Sequence, residues 1–145
     1  MTQNHSDIRT RFIFDDMPIR GMHIRLEKVW HHIVNQKHYP VAIRRALGEL
    51  LAAGALLSAN LKNEGALIVQ VQGQGRLKML VVEATSENTV RATARWDETA
   101  EIRDDESLTA LLGENSVFVL THQPKDADPW QGVVPLEGDS IAQML

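Results

Sequence analysis

The stretch ALIVQVQGQGRLKMLVVEATSENTVRATARW, residues 66–96, decides the fold. Leu67, Val69 and Val71 alternate with Ile68, Gln70 and Gln72, and a period of two belongs to a strand. Gly73-Gln74-Gly75 reads as a tight turn, because glycine reaches positive φ at little steric cost. Leu77, Met79 and Val81 alternate in the next strand, and Ser86-Glu87-Asn88 turns the chain again. Val90, Ala92, Ala94 and Trp96 then alternate strictly with Thr89, Arg91, Thr93 and Arg95, so this strand should bury one face and wet the other. Together these segments form a three-stranded meander.

Upstream, the period changes. Leu26, Val29, Trp30, Ile33 and Val34 recur as one face of a helix. Pro40 interrupts it and opens a second, longer helix, since proline is tolerated in a first turn. Ile43, Leu47, Leu50, Leu51, Leu57 and Leu61 line one broad side of that helix. Ala46, Ala52, Ala53, Gly54 and Ala55 keep its middle slim, so another element should approach closely. Asn63-Glu64-Gly65 ends it. Further upstream, Arg11–Phe14 and Ile19–Ile24 read as a strand pair joined by a turn at Asp15-Asp16-Met17-Pro18. Residues 1–10 are polar and read as a flexible N-terminus, leaving residues 11–145 as one domain.

Downstream, residues 97–106 form an acidic loop. Ser107 caps a short helix from Leu108 to Leu112, with Gly113 just past its end. Val117–Leu120 and Trp130–Leu136 are strands separated by a polar loop. Ser140 to Leu145 looks like a helix just beginning. So short a helix is unstable alone, so the end at Leu145 reads as a cut inside a domain, the alternative being a short helix docked on the sheet. Ile141, Met144 and Leu145 would then offer uncovered apolar surface. The fold class is α+β: mixed, largely antiparallel sheet layers packed with a long helix.

Composition narrows the function. The chain has 145 residues, 43% hydrophobic and 23% charged, which suits one globular domain. A net charge of −4 with only isolated basic pairs such as Arg44-Arg45 argues against a nucleic-acid partner. There is no cysteine, so this chain holds no disulfide and no thiolate metal site. No signal-like apolar segment opens it, and the apolar run Leu50–Leu57 is far short of the ~20 residues that span a bilayer. A cytoplasmic protein with no membrane partner is the plain reading.

Motifs for chemistry are weak. Gly138-Asp139-Ser140-Ile141-Ala142 has the form G-x-S-x-A between a strand and a helix, where a nucleophile elbow would sit. The acid and histidine that should follow Ser140 are missing from the five residues after it, so a helix cap by the Asp139 carboxylate is preferred. His23, His31, His32 and His38 cluster in sequence, but no carboxylate joins His31 or His32 at i+3 or i+4, so no metal site is assigned. Gly73-Gln74-Gly75 joins two strands and lacks the third glycine of a dinucleotide fingerprint, and no phosphate loop occurs. Asp15-Asp16 and Asp104-Asp105-Glu106 read as solvated turns. Trp30, Trp96 and Trp130 each fall on a periodic apolar face and read as core. No catalytic residue and no cofactor follow from these residues, and no enzyme activity is expected.

Two stretches resemble one known family. Residues 67–75, running on through Leu77, Met79 and Val82, resemble the central β-hairpin of the bacterial redox-regulated heat-shock chaperones, heat-shock protein thirty-three. Trp130 to Asp139, WQGVVPLEGD, is similar to that family's aromatic-QGVV-x-LEGD segment. Arg11-Phe12 to Gly21 and Tyr39-Pro40 to Leu61 resemble its opening strand pair and its long helix. The resemblance implies the N-terminal domain of an ATP-independent holdase, which takes part in the stress response, binds unfolded client proteins and can form a homodimer. It also implies a zinc ion on four cysteine thiolates in a C-terminal module, which would lie beyond Leu145 and is released on oxidation. The chain departs from the family in having none of those cysteines. Without the strands that follow the LEGD segment in the family, the domain should expose a sheet edge and an apolar face, and Ile141, Met144 and Leu145, with the outward faces of the meander, are the candidate client-binding residues. A dimerisation module, or a serine hydrolase fragment built on Ser140, are the alternatives.

Overall fold

The structure, a computed structural model, describes residues 7–145. Eleven elements follow in chain order: β1 (Asp7–Ile13), β2 (Arg20–Leu26), α1 (Lys28–Val34), α2 (Val41–Ser58), β3 (Gly65–Gln72), β4 (Leu77–Thr85), β5 (Val90–Trp96), α3 (Leu108–Leu112), β6 (Val117–Pro124), β7 (Trp130–Pro135) and α4 (Ile141–Met144). Strands β3 to β7 make one antiparallel sheet in the order β5-β4-β3-β6-β7, and β1 and β2 make a separate two-stranded sheet. The α+β class read from the residues is the class observed.

The core lies where α2 crosses β3, β4 and β5. Leu67, Val69 and Val71 of β3 are buried, and Val69 and Val71 pair directly with Val82 and Leu80 of β4. Ile43, Leu47, Leu50 and Leu51 of α2 complete it. Each such side chain contributes about 1.5–3 kcal/mol by leaving water. The slim middle of the helix does what its composition implies. A Cβ on Gly54 would stand 2.9 Å from Val82 Cγ1, so glycine lets helix and sheet meet closely. Leu57, by contrast, stands exposed near the helix end.

In β4 the buried set is Leu77, Leu80, Val82 and Ala84, whereas simple alternation selects Leu77, Met79 and Val81. The pairing with β5 is irregular between Leu77 and Met79, and that bulge inverts the alternation for the rest of the strand. The turn before it also has a different cause from the one expected. Neither Gly73 nor Gly75 has positive φ. Gln74 N and Gly75 N both donate to Leu112 O, at 2.8 and 2.7 Å. A Cβ on Gly75 would collide with the backbone of Leu111 and Leu112, so glycine is required there for space.

The polar opening is more ordered than its composition implies. Asp7–Thr10 belong to β1 and pair with His23–Leu26, while residues 1–6 lie outside the described residues. The Asp7 carboxylate accepts from Glu27 N at 2.7 Å and Lys28 N at 3.0 Å. It thereby caps α1 from twenty residues away, in place of a cap at Glu27.

Candidate functional site: two exposed apolar surfaces

Ser140 is the N-cap of α4, and its hydroxyl accepts from Gln143 N at 3.3 Å. This corrects the assignment of the cap to Asp139, whose carboxylate instead accepts from Thr109 Oγ1 at 2.8 Å. Among the described residues no imidazole joins Ser140, and its geometry is that of a cap. His32 Nε2 lies 3.1 Å from Gln36 Nε2, and no three His, Asp or Glu side chains are grouped to hold a metal among the described residues. A zinc ion of the thiolate type does not fit this chain, because no cysteine is present to bind it.

The acidic loop also needs correction. Asp104 and Asp105 sit in a turn, but the Glu106 side chain is buried and forms a two-pronged ion pair with Arg76. Arg76 Nη1 donates at 2.6 Å to Glu106 and at 2.9 Å to Glu101 O. The hydrogen bond from Arg76 holds the Glu106 carboxyl below the usual carboxylate range, and Glu106 in turn raises the Arg76 guanidinium. The pair ties the β3–β4 turn to the loop before α3, a structural lock.

The apolar residues at the end of the chain divide. Ile141 is 1% exposed and buried in the core cluster, so it offers no surface to another molecule. The reason is non-local: α4 packs on α2, and Ile141 N donates to Glu49 Oε2 at 3.3 Å. Met144 is half-buried against the same cluster, and Leu145 is exposed.

Larger apolar surface lies elsewhere. At the tip of the β1–β2 hairpin Phe12, Ile13, Phe14, Met17 and Ile19 are exposed, Ile13 by 68%. The rings of Phe12 and Phe14 meet edge to face at 5.8 Å. The second surface is β7, which among the described residues pairs with β6 alone and is an edge of the sheet. Trp130, Val133 and Val134 are exposed there. Trp30 and Trp96 pack at the core as expected, but Trp130 does not, because α2 roofs β3 to β5 and stops short of β7. The opposite edge differs in chemistry. Strand β5 carries Arg91 and Arg95 and contacts α1, whereas WQGVVP in β7 has no charge. Charges on an edge strand deter the addition of a further strand, and β7 has no such protection.

The sequence pattern of the family described as Hsp33 protein matches residues 7–145. The chain belongs to the Hsp33 family. This Hsp33-family chain is 82% identical over 142 residues to the 33 kDa chaperonin of Neisseria meningitidis serogroup A, covering 98% of this chain and 47% of the relative. It is 48% identical to the 33 kDa chaperonin of Chromobacterium violaceum, covering 100% and 49%. The chain thus spans about half the length of the curated relatives it matches. The solved structure of a 33 kDa chaperonin from Thermotoga maritima superposes with a TM-score of 0.82 at 22% identity, covering 97% of this chain and 49% of that one. That likeness shows a shared fold. No helix among the described residues is long and apolar enough to cross a membrane.

Proposed function

We propose that this chain is the client-holding part of an ATP-independent chaperone. It binds unfolded polypeptides on exposed apolar surface and keeps them from aggregating, in the cytoplasm and without catalysis. The observation that carries this reading is β7, an uncharged edge strand with Trp130, Val133 and Val134 exposed. Such an edge offers unpaired backbone groups and apolar side chains together, which is what an extended client can use by adding a strand. The hairpin tip supplies a second apolar contact. The chaperonin names of the relatives support the same reading. With no cysteine, the chain itself would hold clients without a thiol switch.

The test is light scattering from a thermally aggregating client protein. The chain should suppress scattering at near-stoichiometric ratios with no nucleotide added, and Val133→Lys should lose much of that effect. A chain that leaves scattering unchanged, or that only forms a β7-buried homodimer, would refute the reading.

A further inference from the structure

One face of the hairpin carries three arginines and a single carboxylate, Asp7, which is engaged at its root as the cap of α1. Register places Arg9, Arg11 and Ile13 of β1 opposite Ile24, Met22 and Arg20 of β2. Three guanidiniums therefore share one face, interleaved with apolar side chains, and diagonal neighbours such as Arg11 and Arg20 lie about 7–8 Å apart in such a pair. Among the described residues, none of the three forms an ion pair with a carboxylate. Arg11 donates at 2.6 Å to Ala59 O, which turns this face toward the end of α2. A cleft of about 400 Å³ opens there, lined by Arg11, Ile13, Arg20, Met22 and Asn60 among others. Although the whole chain carries −4, residues 1–62 hold nine basic and five acidic side chains, and residues 63–145 hold six and fourteen.

Unpaired like charges on one sheet face are unfavourable until an anion arrives. We infer that this cleft selects, among unfolded chains, extended segments in which Asp or Glu alternate with apolar residues. A client carboxylate sits between Arg11 and Arg20, where charge-assisted hydrogen bonds are strong. The neighbouring client side chain lies against Ile13 and Met22. The inference rests on the holdase reading and adds a rule for which segments are held.

The experiment uses short labelled unstructured peptides, identical except for Glu, Gln or Lys at alternate positions, titrated with the full chain by fluorescence anisotropy. The Glu peptide should bind about tenfold tighter than the Gln peptide, as one charge-assisted bond allows. The Lys peptide should bind weakest. Arg20→Gln removes an exposed side chain that makes no ion pair among the described residues, and should abolish the difference in affinity between the Glu and Gln peptides. Arg11→Gln, checked for an intact Tm because it loses the Ala59 bond, should do the same. Equal affinities for Glu and Gln, or a Glu preference that survives both substitutions, would overturn the inference. If client aggregation is still suppressed in that case, the holdase reading stands without this rule. If no peptide binds and aggregation proceeds, both fall.

Discussion

Strand β4 buries Leu77, Leu80, Val82 and Ala84, whereas β1, a strand of comparable length, leaves all seven of its residues exposed. Both carry large apolar side chains. The difference lies in what stands over them. Strand β4 has β3 and β5 on its two sides and α2 across it, while among the described residues β1 has β2 as its one strand neighbour and no helix packed over it. A two-stranded ribbon is marginal in water by itself. The comparison separates the molecule into a part that supplies stability and a part that presents surface. Apolar residues serve both, and their position in the topology decides which.

Substitutions can break or sharpen that division. Leu50→Ala strikes the stable part, where the side chain is fully buried, and should cost about 2–5 kcal/mol. Denaturant unfolding followed by circular dichroism would read it, and a cost below about 1 kcal/mol would mean that the core is misplaced.

Glu106→Gln should have a smaller effect, lowering Tm by several degrees through loss of the Arg76 pair. The sign with pH follows from the direction of the shift. A carboxyl held below its ordinary value stabilises the fold above that ordinary value, and the benefit fades as pH falls through the depressed one. The Tm gap between the natural chain and Glu106→Gln should therefore be full at neutral pH and shrink progressively as pH falls below the ordinary carboxylate range. A gap that widens in acid would contradict the lock.

Ile13→Ser, at the hairpin tip, should change stability by less than about 0.5 kcal/mol while weakening client holding. Chemical denaturation and light scattering on the same preparation would show the two effects separately. A large loss of stability there would erase the contrast between β1 and β4.

The parts legible in the residues were those fixed by local pattern. The meander, the long helix, the opening strand pair and α3 with its Ser107 cap and Gly113 stop follow from period, turn and cap within one element. What stayed hidden depended on distant partners. Asp7 caps a helix twenty residues on, Glu106 pairs with Arg76 thirty residues back, and Ile141 is covered because Glu49 and α2 meet it across ninety-two residues. The bulge in β4 hid for another reason, since alternation by itself has no marker for an inserted residue. The apolar surface was legible as composition and misplaced as position. Trp130 reads as core on its strand, and only the limited reach of α2 leaves it in water.

The cap that Asp7 gives to α1 has a mechanical consequence. It clamps the hairpin at its root, and the Arg11 bond to Ala59 props it partway along. Beyond that prop the arm is a cantilever with its greasy load at the free end. Phe12 and Phe14, their rings edge to face, stand past the Arg11 tie and are held by the hairpin's own pairing.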